Sequence, residues 1–495
     1  MKTNLPLYIL AGPLLAAFAV NILGRFRVRL VAPLVLGTLG LCCLGALNLL
    51  LQVLQQGSFY YVVGNWTAPY GIALMLDPLS ALMLLLITGV AFLAGFSALT
   101  SADRELPGRQ HLFFTLYLIM VAGLCGLVIT ADAFNLYVLL EITSISTYGM
   151  IAMGKGRAPL ASFNYIILGS IGACFYLLGV GYLYILTGTL NMADIARMVP
   201  QISGTAAYAT AFGFAIVGVW VKMAFFPLHN WLPRAYWHAP SGMTVMVAPL
   251  MTKVSVYLMV RLIYSVFQPD WVFLAHVGVR DVVLWIATIG ILVASFVAYG
   301  QRDLKRMLVY LIVAEVGYMV GGVWLDNTTA LTGALLHIVN DALMTLCLFL
   351  ACSAMLYTVG STGFDALRGL YRRMPWTMAA FTLTGLSMIG VPPTCGFFSK
   401  WYLLLGALEA GQYQFVVALI VSSLINAILF FRMFELAYFK APEEDDHHGP
   451  GLPRQDAPLM MVFPLLVASL SLLAVGFAAN TLVTKVIGAA LPLLM

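Results

Sequence analysis

The chain has 495 residues, of which 62% are hydrophobic and 9% charged, with a mean hydropathy of +0.96 and a net charge of +5. So little polar surface excludes a soluble globular domain of this length, and the apolar runs near twenty residues predict an all-α polytopic membrane protein. The seven cysteines form no C-x-x-C and one histidine alone lies deep in an apolar run, which argues against zinc, iron–sulfur or haem ligation; neither a metal nor a cofactor is expected.

The apolar pattern predicts fourteen membrane helices, at about 5–23, 30–54, 75–99, 111–130, 133–153, 163–187, 206–227, 242–265, 275–300, 307–325, 329–357, 377–407, 413–438 and 457–480. The first run is of spanning length and lacks a small-residue cleavage pattern, so a cleaved signal peptide is not expected. Connections are short and leave no room for a separate soluble domain. The longest, "KAPEEDDHHGPGLPRQDAP", carries a run from Glu443 to His448 that reads as a solvated loop.

Basic residues set the orientation. Alternate connections place Arg25, Arg27, Arg29, Arg104, Arg109, Lys155, Arg157, Arg234, Arg302, Lys305, Arg306, Arg368, Arg372, Arg373, Lys440 and Arg454 on one side. Lys2, Arg197, Arg261, Arg280 and Lys485 fall on the other. The richer side should be cytoplasmic, with both termini on the non-cytoplasmic side of the cell's inner (cytoplasmic) membrane.

Seven charges remain inside predicted spans: Glu141, Lys222, Lys253, Glu315, Asp341, Lys400 and Arg432. One ionised group at a helix centre costs roughly 2.5–3.5 kcal/mol on insertion scales, so these must pair, face a hydrated interior or neutralise. Their spacing repeats. Glu141 to Lys222 is 81 positions and Glu315 to Lys400 is 85; Lys222 to Lys253 is 31 and Lys400 to Arg432 is 32. Five helices separate the two acids, and an odd number inverts the second copy across the membrane. The expected organisation is helices 1–3 over 1–110, one inverted repeat over 111–265, a second over 275–438, and a last helix over 457–495. Both lysines sit beside helix breaks, Lys222 before Pro227 and Lys400 after Pro392 and Pro393.

The stretch "LLHIVNDALMTLCLFLA" places His337, Asp341 and Thr345 at spacings of four, on one helical face. His337 with Asp341 could also be half of a metal site, but a single helical pair without further ligands supports that poorly. Arg432 reads equally as a partner of Glu435, a snorkelling residue or part of the path.

These residues resemble the antiporter-like subunits shared by Mrp-type cation/proton antiporters, respiratory complex I and membrane-bound hydrogenases. The resemblance runs through "FNLYVLLEITSISTYGMIA", "KMAFFPLHNWLPRAYWHAPSGMTVMVAPLMTKVSVYLMVR", "DLKRMLVYLIVAEVGYMVGG", "TGALLHIVNDALMTLCLF" and "GVPPTCGFFSKWYLL". It implies that Glu141 and Lys222 form the family's acid–lysine pair, that Lys253 and His337 continue the relay, and that Lys400 ends it. Lysine at position 400 leans toward the Mrp D-type. The family pattern H-x-x-N-H-A-x-x-K reads "HIVNDALMT" here, so Asp341 replaces a histidine and Thr345 a lysine, while Glu315 occupies a position that is usually glutamine-like.

The expected function is therefore proton translocation, with Na⁺ as a second candidate ion, through Glu141, Lys222, Lys253, His337, Asp341 and Lys400. Glu315, Arg432 and His229 are accessory candidates. The chain would work with other membrane subunits in the bilayer and bind no nucleic acid. An Mrp-type antiporter is the first reading. The alternative is the same module in a redox-driven complex, whose partners would hold the redox chemistry because this chain lacks the motifs for it. A stand-alone carrier of a small solute is the third class, and it would not need so many charges strung across both repeats.

Overall fold

The computed structural model describes residues 4–271, 274, 277–441 and 455–494. The Glu443–His448 run lies outside the described residues. The chain begins with α1 (Leu5–Phe26) and α2 (Val31–Gln56), followed by an antiparallel hairpin of β1 (Phe59–Val62) and β2 (Ala73–Leu76). Next come α3 (Pro78–Glu105), α4 (Gln110–Ile129), α5 (Ala133–Ala152), α6 (Ala158–Thr187) and the short α7 (Met192–Ile202). Then follow α8 (Ala206–Met223), α9 (Trp231–His238), α10 (Ser241–Arg261), α11 (Val279–Tyr299), α12 (Leu304–Trp324) and α13 (Thr328–Val359). The last are α14 (Pro375–Ile389), α15 (Cys395–Glu409), α16 (Tyr413–Phe434) and α17 (Leu459–Phe477), before a short apolar helix at Ala479–Leu493.

Twelve of the described helices are long and apolar enough to cross a membrane. The fourteen spans expected from the sequence are reached by adding α5, whose Glu141, Thr143, Ser144, Ser146 and Thr147 dilute its apolar character, and the broken pair α14–α15. One difference lies at the third span: residues before Asp77 belong to the hairpin, and α3 starts at Pro78. Asp77 caps it, accepting from Ser80 N at 2.7 Å while Ser80 Oγ accepts from Asp77 N at 2.9 Å.

The connections gather at two ends of the bundle. At the hairpin end, Ala131 N bonds to Ala73 O, Met192 N to Ala131 O and Ala133 N to Leu190 O. At the other, Leu304 N bonds to Thr362 O, Gly369 N to Leu436 O, and Lys305 Nζ donates to Ala239 O at 2.8 Å. Large apolar side chains such as Leu15, Phe18, Phe163, Trp285 and Leu424 stand exposed around the flanks, as a lipid-facing surface requires. The centre is different. Every residue of α10 is buried, and α12 is buried along most of its length, so a charge on either must find its partner inside the protein.

Two helices break at this depth. Helix α8 ends at Met223, where Ala224 adopts φ 59°, and the chain resumes helical form at Trp231, whose Nε1 donates to Val221 O at 3.0 Å. Helix α14 ends at Gly390 (φ 97°), and Pro392 and Pro393 precede α15. Gly396 lets the two halves meet closely, since a Cβ there would lie 2.0 Å from Ser387 O. Because that neighbour is backbone, Gly396→Ala is expected to destabilise the break by about 2 kcal/mol or more. The check is a lowered thermal unfolding midpoint of the purified assembly; an unchanged midpoint would contradict the packing described.

Candidate functional site: a line of buried ion pairs

Lys222 occupies the last turn of α8, where the carbonyl ends of the helix favour a cation. Its Nζ donates to Ser144 Oγ at 2.7 Å and to Glu141 Oε1 at 3.4 Å, both on α5. The lysine is buried, whereas the Glu141 side chain keeps 24% exposure and opens toward the flank of the bundle.

The second pair is deeper. Lys253 Nζ on α10 lies 2.8 Å from Asp341 Oδ2 on α13, with side-chain exposures of 0% and 1%. Thr345 completes it: its hydroxyl accepts from Lys253 Nζ at 3.3 Å and donates to Asp341 Oδ1 at 3.0 Å. Asp341 and Thr345 differ from the pattern that the resemblance implies, and the two changes occur together in one three-residue cluster. A threonine one turn after the aspartate keeps both charged partners hydrogen-bonded where a lysine would add a second buried cation.

One turn earlier on α13, His337 begins the third cluster. Its Nε2 lies 2.6 Å from Glu315 Oε2 of α12, and its Nδ1 lies 2.9 Å from Ser399 Oγ of α15. The other oxygen of Glu315 lies 3.9 Å from Lys400 Nζ, which donates to Met388 O at 2.6 Å and sits 5.3 Å from the centre of the Tyr318 ring. Met388 is in the last turn of α14, so Lys400 serves the exposed carbonyl end of the second broken helix as Lys222 serves the first.

The structure thus brings together three lysines, three carboxylates and one histidine in three clusters, spread over seven helices (α5, α8, α10, α12, α13, α14 and α15). Among the described residues no hydrogen bond or ion pair joins Lys222 to Lys253. The second and third clusters share α13, on which His337, Asp341 and Thr345 succeed each other at intervals of about 6 Å. Opposite charges at these distances in a low-dielectric interior hold one another strongly, so moving one charge changes the proton occupancy of the next.

Glu315, expected to be accessory, stands at the centre of the third cluster. His229 lies in the first helix break, half-buried, with its ring 5.4 Å from that of Phe226. Arg432 stands apart from the line, exposed near the end of α16 with its guanidinium 5.3 Å from the Phe364 ring. The pairing of Arg432 with Glu435 entertained from the sequence is not the one found, because Glu435 pairs with Lys440 at 3.1 Å. Ser144 and Ser399 were missed; each lies one turn or less from a charged residue on its own helix, a spacing that could have found them.

Ser399 sets the tautomer. With Glu315 ionised, Nε2 of His337 carries the proton and Ser399 donates to Nδ1. Ser399→Ala leaves that nitrogen buried without a partner, at about 1 kcal/mol, so proton movement through His337 should slow by about fivefold. Proton transport by vesicles containing the variant would measure it, and an unchanged rate would remove Ser399 from the path.

A bundle of fourteen spans, two of them broken beside lysines that face acids on neighbouring helices, defines a polytopic membrane protein of the antiporter-like class. The chain belongs to the NADH:quinone oxidoreductase/Mrp antiporter transmembrane family, which residues 130–426 match. It is 41% identical to NADH-quinone oxidoreductase subunit N of Desulforudis audaxviator over 99% of both chains. It is 31% identical to the D-type Na(+)/H(+) antiporter protein of Alkalihalophilus pseudofirmus, over 88% of this chain and 86% of that one. Among solved structures, a chain of the membrane-bound sulfane sulfur reductase, an archaeal respiratory membrane complex, superposes with a TM-score of 0.89 at 29% identity, covering 98% and 97% of the two chains. A chain of the Mrp complex from Dietzia sp. shares the fold, with a TM-score of 0.89 at 24% identity over 100% of this chain and 98% of that one.

Proposed function

We propose that this chain is a proton-translocating subunit of a multisubunit membrane complex, of Mrp antiporter type in the first reading. The observation that carries proton translocation is the Lys222–Glu141, Lys253–Asp341 and Lys400–Glu315–His337 series, buried at the centre of the bundle and spanning both helix breaks. A lysine deprived of its counter-ion in a dry site releases its proton more readily, so separating Glu141 from Lys222 would push a proton toward Lys253. Displacing the charge on Lys253 would in turn alter how firmly Asp341, His337 and Glu315 hold theirs, and Lys400 would end the relay. Na⁺ would be the exchanged ion of the assembly in this reading.

Two units, 111–265 and 275–438, would work as inverted halves, each with an acid on its second helix and a lysine at its broken helix. The residence is the cytoplasmic membrane, with both termini on the non-cytoplasmic side, because the connections richer in lysine and arginine gather at the end opposite the hairpin.

A second reading is favoured by the full-length similarity to subunit N of an NADH-quinone oxidoreductase: the same relay driven by electron transfer in partner subunits. The deciding experiment is gentle purification of the tagged chain from its native host. Small membrane subunits without flavin or iron–sulfur absorbance, together with sodium-dependent collapse of a pH gradient in inverted vesicles, support the antiporter. Co-purifying redox subunits support the second reading. Absence of proton movement in either setting would overturn both.

A further inference from the structure

Outside this line, a second buried charge pair sits at the hairpin end. Arg261 Nη2 lies 2.5 Å from both oxygens of Asp77, and Arg261 Nε donates to the Tyr257 hydroxyl at 2.9 Å. Tyr257 itself donates to Val128 O at 2.6 Å. This corner encloses a cavity of about 210 Å³, lined in part by Tyr257, Arg261, Ser265 and Thr130, and by Ala193 and Ala196 of α7. Space of that size holds several water molecules. Two polar groups on its wall lack partners among the described residues: Nη1 of Arg261, a side chain 91% buried, and the Ser265 hydroxyl.

The occupant follows from the charges. Asp77 engages the guanidinium with both oxygens, so the site is neutral overall and offers no net attraction to an anion. The unpartnered groups are a single N–H edge and a hydroxyl, which water satisfies. The position matters as well. Lys253, Tyr257 and Arg261 follow one another at spacings of four on α10, so they share a face and descend from cavity to relay in steps of about 6 Å. Lys253 has no exposure of its own, while Glu141 and Lys400 reach the flanks of the bundle.

We propose that this cavity is a water-filled vestibule through which Lys253 exchanges protons with the solution on the hairpin side of the membrane, with the Tyr257 side chain closing its inner end. The inference rests on the proton-translocation reading, and α7 forms the outer wall that a reagent would meet first.

The test uses Ala196→Cys, and separately Ala193→Cys, in the full assembly, with the exposed native thiol removed by Cys174→Ser. Both alanines are half-buried and neither belongs to the charge line. A charged, membrane-impermeant methanethiosulfonate is applied to each membrane face in turn, and proton transport is measured before and after. Labelling from the hairpin side alone, with transport falling at least tenfold on labelling, is the expected result. Failure of both positions to react from the hairpin side, or full labelling with transport unchanged, would overturn the vestibule. Transport before labelling reports on the translocation reading by itself: if it is absent, that reading fails, while the labelling still decides whether water reaches the cavity.

Discussion

Lys222→Ala is expected to reduce proton transport by the assembly at least tenfold while leaving the complex intact. The two halves of this expectation have different causes. Transport fails because the first switchable charge is gone and Glu141 has nothing to release. Assembly survives because the acid left behind retains 24% exposure and can be hydrated. The reciprocal Glu141→Ala should be worse for the protein, since it strands a lysine that is 1% exposed, with only Ser144 and the helix terminus to hold its charge. Breaking a buried pair from that side costs about 3–5 kcal/mol unless the lysine loses its proton. The measurements are pH-gradient formation in inverted vesicles and recovery of the intact complex in detergent. Normal transport in Lys222→Ala would remove the first pair from the mechanism, and equal stability of the two variants would contradict the asymmetric burial.

Much of this arrangement was legible before any fold was known, and the legible parts share a cause. Spanning helices announce themselves locally, through runs of apolar residues of the right length, and all fourteen are found within a few residues of their expected positions. The broken helices were equally local, marked by Pro227 and by Pro392 and Pro393. The spacing of charges carried more: the repeat that matched Glu141 to Lys222 also matched Glu315 to Lys400, and each acid lies beside its lysine at 3.4 and 3.9 Å. Partnership between unrelated segments was not legible. Nothing local ties Asp341 to Lys253 in preference to Lys400, because that choice depends on how α13 is turned between α10 and α15. Asp77 and Arg261 were hidden for a related reason. Each lies at a helix end, where a charge is ordinarily solvated, and only the folding of the hairpin end over them makes a buried pair 184 positions apart. The hairpin and α7 were missed because each is too short to leave a spanning signal.

Asp341→Asn is expected to cut transport at least tenfold, and a double substitution separates its causes. Asparagine preserves shape and a hydrogen-bonding oxygen for Thr345, so what is lost is the charge that faces Lys253. In a site where both side chains have exposures of 1% or less, the lysine must then remain as an uncompensated cation or surrender its proton permanently, and either outcome stops a relay. Lys253→Met with Asp341→Leu removes both charges and fills much of the same volume with apolar groups. Replacing a buried pair in this way is often neutral or stabilising, whereas removing one member costs about 3–5 kcal/mol. The double variant should therefore assemble better than Asp341→Asn, with a higher thermal midpoint, and still translocate no protons. That combination of restored stability and absent transport is what a functional charge pair predicts and a purely structural one does not, since a structural pair replaced by well-packed side chains would leave transport intact. Should the double variant be less stable than the single, the two residues do not face each other as the 2.8 Å contact places them. Should it transport normally, the relay bypasses the centre of the bundle, and the continuity of the path from Lys222 to Lys400 would have to run through other groups.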